Sequence, residues 1–398
     1  MNCFARACER RSLRNLTVPE NMLEIAFWSA VALVVYAYVG YPMLLAVVAT
    51  VRGRPVAKAN VTPRVSFIIT AYNEESRIRQ KVENTLRQRY PKDRFEVIVA
   101  SDGSSDGTDD IVRSYASRRV RLVRGADRKG KEAAQQLAVA AATGEVLVFS
   151  DVATLLEPRG VARIVRAFAD PTVGCVSSVD QAVDTNGHAS GEGLYVRYEM
   201  LLRRLETRAG SVVGLSGSCF AVRREVCGDW ATDVPSDFNT VLCAVRMGLR
   251  GVVDGDSVGS YTTLTEGSKE FDRKVRTILR GIPVVTKNLS MLNPFRYGLF
   301  AWQLFSHKLC RWLAPVATLV AFGANAGLAT TSAFYLALFI GQCGFYAIGV
   351  VGLFGRIVSR GALLRIPAFF VLVTLSTLHA WYRYVRGDRI MMWAPSER

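Results

Sequence analysis

Histidine is nearly missing from this 398-residue chain: His188, His307 and His379 are the only three, too far apart in sequence to suggest a shared metal. The eight cysteines include no C-x-x-C pair, which removes the usual zinc-site signature. Their scatter suits small core residues kept reduced rather than a disulfide framework. Acidic residues are also few, 34 against 50 Lys and Arg, for a formal net charge of +16. In a soluble protein that excess would suggest nucleic acid. Here the basic residues flank apolar runs, with Arg52, Arg54 and Lys58 after one and Arg296, Lys308 and Arg311 before another. That placement fits the cytoplasmic leaflet of a membrane and argues against nucleic acid as a partner.

Charge is absent altogether from Ile25 to Val51, a run longer than the roughly 20 residues needed to cross a hydrocarbon core. It is expected to be a transmembrane helix; it is too long for a signal peptide and has no cleavage site after it. Trp312 to Gly355 also lacks charge and has room for two spans, broken near Ala329 to Ser332. Ile366 to Tyr384 is a fourth, shorter candidate, interrupted by His379 and Arg383. Residues 312–385 would thus hold two or three spans. Residues 295–311 read as an amphipathic helix lying flat at the interface, with Arg296, Gln303, His307 and Arg311 on one face and Trp302 as anchor. Residues 1–24 and 386–398 form polar, Arg-rich ends.

The chemistry is concentrated between these runs. Val65 to Ala71 and Phe95 to Ala100 are strand-like, and each ends in a polar cluster: Tyr72, Asn73 and Glu74 after the first, Ser101 to Thr108 after the second. Glu75 to Arg89 between them has the pattern of an amphipathic helix, so the unit is βαβ, and ligands bind at the carboxyl edge of such strands. A nucleotide site is the natural reading. Asp102 stands where a carboxylate can accept a base or ribose hydrogen bond. Gly103 and Gly107 permit positive φ, and Asp106 or Thr108 can cap a helix from Asp109 to Ser117. Further on come an alanine-rich helix from Lys131 to Ala142, a buried strand Val146 to Phe149, and helices Gly193 to Ala209 and Ser236 to Met247 around a small-residue turn, Gly214 to Ser218.

Taken in order, Ala71-Tyr-Asn-Glu, Asp102-Gly-Ser-x-Asp-Gly-Thr, Lys129-Gly-Lys, Phe149-Ser-Asp-Val-Ala-Thr, Ser216-Gly-Ser-Cys-Phe and Pro235-Ser-Asp-Phe make a series. It resembles the family 2 glycosyltransferases, whose GT-A fold is an α/β, Rossmann-like nucleotide-sugar domain with a mainly parallel sheet. The resemblance covers Arg64 to Leu292, with 64–180 as the nucleotide-binding half and 181–292 as the acceptor half. It assigns Ala71, Tyr72, Glu74 and Asp102 to the uridine end of a UDP-sugar and Lys131 to the nucleotide or its phosphates. Ser216, Gly217 and Ser218 fall on the acceptor side, and Asp237 matches the general base of an inverting transfer. Asp151 takes the place of the family's metal-binding D-x-D, implying a weakly held Mg2+ or Mn2+.

Two departures matter. Ala153 replaces the second carboxylate of the D-x-D. The Q-x-x-R-W of processive members is missing as well: from Phe271 to Gly281 only Arg273, Arg276 and Arg280 offer a guanidinium to the diphosphate, with Arg276 preferred. Transfer of one sugar to a lipid-linked or surface-glycan acceptor is therefore expected. A processive polysaccharide synthase and a catalytically weak nucleotide-sugar-binding sensor or assembly subunit are the alternatives. The resemblance implies a multi-pass inner-membrane protein with a cytoplasmic catalytic domain. One span before that domain and three after would put both Arg-rich termini outside, against the positive-inside rule. Either the fourth segment is not a full span, or the rule is overridden.

Overall fold

The computed structural model describes residues 19–183, 194–262, 267–354 and 362–390. The N-terminal residues up to 18, Gly193 and the tail beyond 390 lie outside the described residues. The chain divides into two compact units: Met1–Tyr41 with Lys308–Tyr382, and Pro42–His307 with Arg383–Arg398.

The second unit is built on a sheet of eight strands: β1 (Val65–Ala71), β2 (Phe95–Ser101), β3 (Val120–Arg124), β4 (Val146–Asp151), β5 (Leu155–Leu156), β6 (Val173–Val183), β7 (Cys219–Arg223) and β8 (Arg250–Thr262). Their order across the sheet is β3-β2-β1-β4-β7-β6-β8-β5. The strands β1 to β4 run parallel to their neighbours within that set, and β6 is parallel to β8. The strand β7 is antiparallel to both β4 and β6, and β5 to β8. Every position of β1 is buried, as its unbroken apolar run requires for a strand covered on both faces.

Helices α1 (Glu75–Leu86), α2 (Thr108–Arg113), α3 (Lys131–Ala141), α4 (Gly160–Val165), α5 (Leu194–Ala209), α6 (Ser236–Arg246) and α7 (Gly267–Lys287) accompany the sheet. The buried positions of α1 are Ile78, Lys81, Val82 and Thr85, the stripe that a 3.6-residue period dictates. Ile78 and Val82 join Phe67, Ile69, Val97 and Val99 in the core. Chain order reverses between β1 and β4, with Thr70 beside Asp151 and Ala71 beside Ser101. The carboxyl ends of these strands are therefore flanked by crossovers leaving in opposite directions, which opens a crevice there. At the sheet's margins, β3 exposes Arg121 and Arg124, and β5 has two residues.

Among the described residues three helices are long and apolar enough to cross a membrane: Glu20–Val51, Leu299–Leu328 and Ala333–Leu353. A helix also covers the fourth expected segment, Ala362–Val385, but it contains Pro367 and a basic last turn. In the first unit Phe27, Ala30, Ala317, Ala321, Ala324 and Leu328 share a core; the alanines let the helices approach closely, a device suited to apolar surroundings.

Two expectations are corrected here. Residues 295–311 are not a separate interfacial helix: Pro294–Tyr297 is one short turn of helix, and Leu299 begins a run that continues to Leu328. The middle of the polar face also points inward. Gln303 and His307 are buried, His307 Nδ1 lies 2.5 Å from Glu206 Oε1, and Gln303 Nε2 donates to the Glu206 carbonyl at 3.5 Å. A polar stripe that finds carboxylate and carbonyl partners inside its own unit has no need of water. Gly107, a position that permits positive φ, has φ −70°; its amide donates to Glu75 Oε2 at 3.2 Å, and a Cβ would crowd the same carboxylate.

Candidate active site

The expected residues gather at the carboxyl ends of β1, β2 and β4. The turn after β1 is tied to the turn after β2: Asp102 N donates to Ala71 O at 2.9 Å, Ser105 N to Asn73 Oδ1 at 2.9 Å, and Glu74 N to Thr108 Oγ1 at 2.8 Å. Asn73 has φ +52°, a left-handed conformation that asparagine tolerates. The Arg128 guanidinium lies 3.9 Å from the centre of the Tyr72 ring, a cation–π contact.

Two of the residues assigned to the uridine end have partners of their own. Glu74 is buried, and its carboxylate accepts from Arg77 Nε at 2.8 Å. Burial pushes its pKa up, against the pull of Arg77. Asp102 is 2% exposed. Its carboxylate accepts from Lys129 N at 2.8 Å and from Gly130 N at 3.0 and 2.9 Å. Burial raises its pKa while these amides lower it. A carboxylate at a strand end facing the amides that open a helix settles on them, so Asp102 holds the loop before α3 at the strand end where the nucleotide is expected. Gly130 precedes α3 with φ +101°, which lets the chain turn so that both amides face Asp102.

The end of β4 is organised differently. The Lys131 ammonium, in the first turn of α3, donates to Asp151 Oδ1 at 2.5 Å and to Gly217 O at 3.0 Å. Asp151 N in turn donates to Ser218 O at 3.0 Å. At the same turn, a Cβ on Gly217 would stand 3.0 Å from Asp237 Oδ2. Asp237 lies in the first turn of α6, its backbone carbonyl accepting from Leu215 N at 3.1 Å. The Ser216–Gly217–Ser218 turn therefore meets both the Lys131–Asp151 pair and the Asp237 carboxylate.

Two neighbours escaped the sequence reading. The first is Lys81, fully buried on the inner stripe of α1, which donates to Ser150 Oγ at 2.7 Å and to the Thr154 carbonyl. Burial pushes its pKa down to about 8, with Asp151 pulling the other way. The signal was there: a lysine on the apolar face of a helix, three residues after Ile78. The second is Asp180 on β6, which accepts from Ser216 Oγ at 2.6 Å and from Ser218 Oγ. It follows a run of apolar and small residues that marks nothing by itself.

Arg276 is half-buried in α7. Arg280 reaches the nucleotide half, donating to the buried Glu132 Oε1 of α3 at 2.6 Å. Arg273 pairs with Glu270 at 2.7 Å. A divalent cation needs several oxygen ligands. Ala153 offers none, and Asp151 Oδ1 is engaged by Lys131. No three His, Cys, Asp or Glu side chains among the described residues could hold a metal together. These side chains do not fit an ion held by the protein.

A nucleotide-type crevice, an ordered motif series and a mostly parallel sheet define a GT-A-like transferase fold, and comparison with known proteins agrees. Residues 66–230 match the model of "Glycosyl transferase family 2". A solved mannosyltransferase from Pyrobaculum calidifontis, in complex with GDP-Man and Mn2+, superposes with TM-score 0.70 at 26% identity, covering 92% of this chain and 100% of that one. A probable glycosyltransferase of Bacillus subtilis, YdaM, is 28% identical over 42% of this chain and 43% of its own. A dolichyl-phosphate β-glucosyltransferase of Trichomonas vaginalis, ALG5D, is 37% identical over 22% of this chain and 29% of its own. The chain spans less than half the length of these two curated relatives. Its residues 66–230 match the family 2 glycosyltransferase model, and the fold around them is that of a glycosyltransferase.

Proposed function

We propose that this chain transfers a single sugar, with inversion, from a nucleoside-diphosphate sugar to a hydroxyl of a lipid-linked or surface-glycan acceptor. One observation carries the reading: the Gly217 turn brings together a carboxylate that can serve as base, Asp237 beside the Gly217 Cα, and a cation that can meet the diphosphate, Lys131 on the Gly217 carbonyl. The Asp237 carboxylate takes the acceptor's hydroxyl proton as that oxygen bonds to the anomeric carbon. The bond from the anomeric carbon to the diphosphate oxygen breaks on the opposite face, and its electron pair leaves on the diphosphate, toward the basic cluster of Arg128, Lys129 and Lys131. Tyr72, beside Arg128, would stack on the base.

A UDP-linked donor follows from the motif series, and the Pyrobaculum relative's GDP-Man puts guanosine donors beside it. The Mg2+ or Mn2+ expected at Asp151 finds no donor set here, so no step is assigned to it. The relative named for dolichyl phosphate, together with the three apolar helices, favours an acceptor presented at a membrane; the inner membrane with a cytoplasmic active site fits nucleotide-sugar supply. The purified full chain, incubated with UDP- and GDP-sugars and a polyprenyl-phosphate acceptor, should release nucleoside diphosphate only when acceptor is present. The product should carry the inverted anomeric configuration by NMR. Release without any glycosylated product, from every donor, would refute the reading.

A further inference from the structure

The lack of fit between Asp151 and a divalent cation is informative in itself. Three observations converge on one strand end. Ala153 removes the second carboxylate. The Lys131 ammonium, with a side chain 9% exposed, bridges Asp151 Oδ1 and Gly217 O. Beneath them a second ammonium, Lys81, is wholly buried and holds Ser150 Oγ and the Thr154 carbonyl, so the Asp151–Thr154 turn is pinned from below by a cation. No carboxylate is bonded to Lys81 in the structure, and a buried charge left in that state is costly unless something nearby repays it. An arriving diphosphate would.

We propose that Lys131, backed by Lys81, is the resident cation of this site: its ammonium takes the place on Asp151 and the diphosphate that a divalent ion would otherwise hold. The inference rests on the nucleotide-sugar reading above. Lys131 is the group that touches the diphosphate. Lys81 is a positioning residue that acts through the turn it holds. A metal ion and the Lys131 ammonium repel one another and compete for the same carboxylate oxygen, so a divalent ion gains access to Asp151 only when Lys131 is gone.

Nucleotide binding, separate from transfer, tests this. Calorimetry with UDP and GDP on the full-length wild type should give the same affinity, within about threefold, in chelator and in millimolar Mn2+. Lys131→Ala should lose about tenfold or more in chelator, the worth of a charge-assisted contact, and recover with Mn2+ because Asp151 is freed. The double variant Lys131→Ala, Asp151→Asn should not recover. Lys81→Met should bind more weakly with no Mn2+ rescue, since Lys131 still occupies Asp151. Wild-type binding that weakens more than about tenfold in chelator and returns with Mn2+ overturns the proposal without touching the transferase reading. Failure of both nucleotides to bind in either buffer overturns both.

Discussion

Asp102 and Asp151 end neighbouring regions of the same sheet, one at the tip of β2 and one at the tip of β4, yet they answer to different partners. Asp102 is bound by the amides of Lys129 and Gly130, which are fixed to the backbone and cannot turn away. Asp151 is bound by the ammonium of Lys131, which sits at the end of a flexible stem. One carboxylate is built into a loop. The other can exchange its partner for a ligand without unfolding anything, because a side-chain cation reorients at small cost while a backbone amide does not. Position at a strand end therefore does not decide what a carboxylate meets: here one faces fixed amides and the other a side-chain cation.

The largest effect should come from a third carboxylate that the structure leaves beside Gly217. Asp237→Asn keeps the shape but cannot take the acceptor's proton, so transfer should fall by about 10²- to 10⁴-fold while calorimetry shows unchanged nucleotide binding. Loss of binding along with activity would make Asp237 a structural residue.

The Asp102/Asp151 contrast can be broken directly with matched amides. Asp102→Asn should lower stability by about 1–3 kcal/mol, because its new NH2 group would face the Gly130 amide, donor against donor, in a buried place, and the thermal midpoint should drop. Asp151→Asn keeps an acceptor for Lys131, so its midpoint should move less while nucleotide affinity and transfer change more. Equal shifts in midpoint for the two would remove the distinction.

Gly217 sharpens it from the other side. In Gly217→Ala the new methyl group would meet Asp237 Oδ2 at 3.0 Å, displacing the carboxylate by tenths of an ångström. Transfer should fall by about tenfold with nucleotide affinity retained; an unchanged rate would show that Asp237 tolerates the shift.

The smallest effect concerns Lys81 and pH. Its pKa is about 8 in the folded chain and near 10.4 when unfolded, so between those values the unfolded state binds more protons and stability rises with pH. Wild-type protein should gain stability between pH 8 and 10 relative to Lys81→Met, and the gap between their thermal midpoints should close or reverse as pH falls. A gap independent of pH would mean that the buried amine is not titrating.

Much of this was legible in the sequence. β1, β2 and β4 announced themselves as apolar runs ending in polar clusters, because a strand buried on both faces admits little else. Asp151 and Asp237 were readable from their motifs as candidate site residues, and both are in contact with the turn from Ser216 to Ser218. What could not be read was partner choice. The amides that hold Asp102, the carbonyl and hydroxyl above Lys81, and the Glu206 that draws Gln303 and His307 inward are all supplied by distant segments. Burial of a polar face depends on who meets it, and periodicity records only which residues share the face. Gly107 is a similar case: its smallness serves Glu75, 32 residues earlier, rather than its own φ.

The two margins of the sheet bear on how many copies can crowd together. A strand edge is an open ladder of donors and acceptors, and it recruits the edge of a neighbouring copy unless something prevents it. Here β5 is too short to template anything, and β3 carries Arg121 and Arg124, paired with Glu96 and Asp109. A second β3 would have to displace or pack around these ion pairs, so extension of the sheet through β3 is disfavoured.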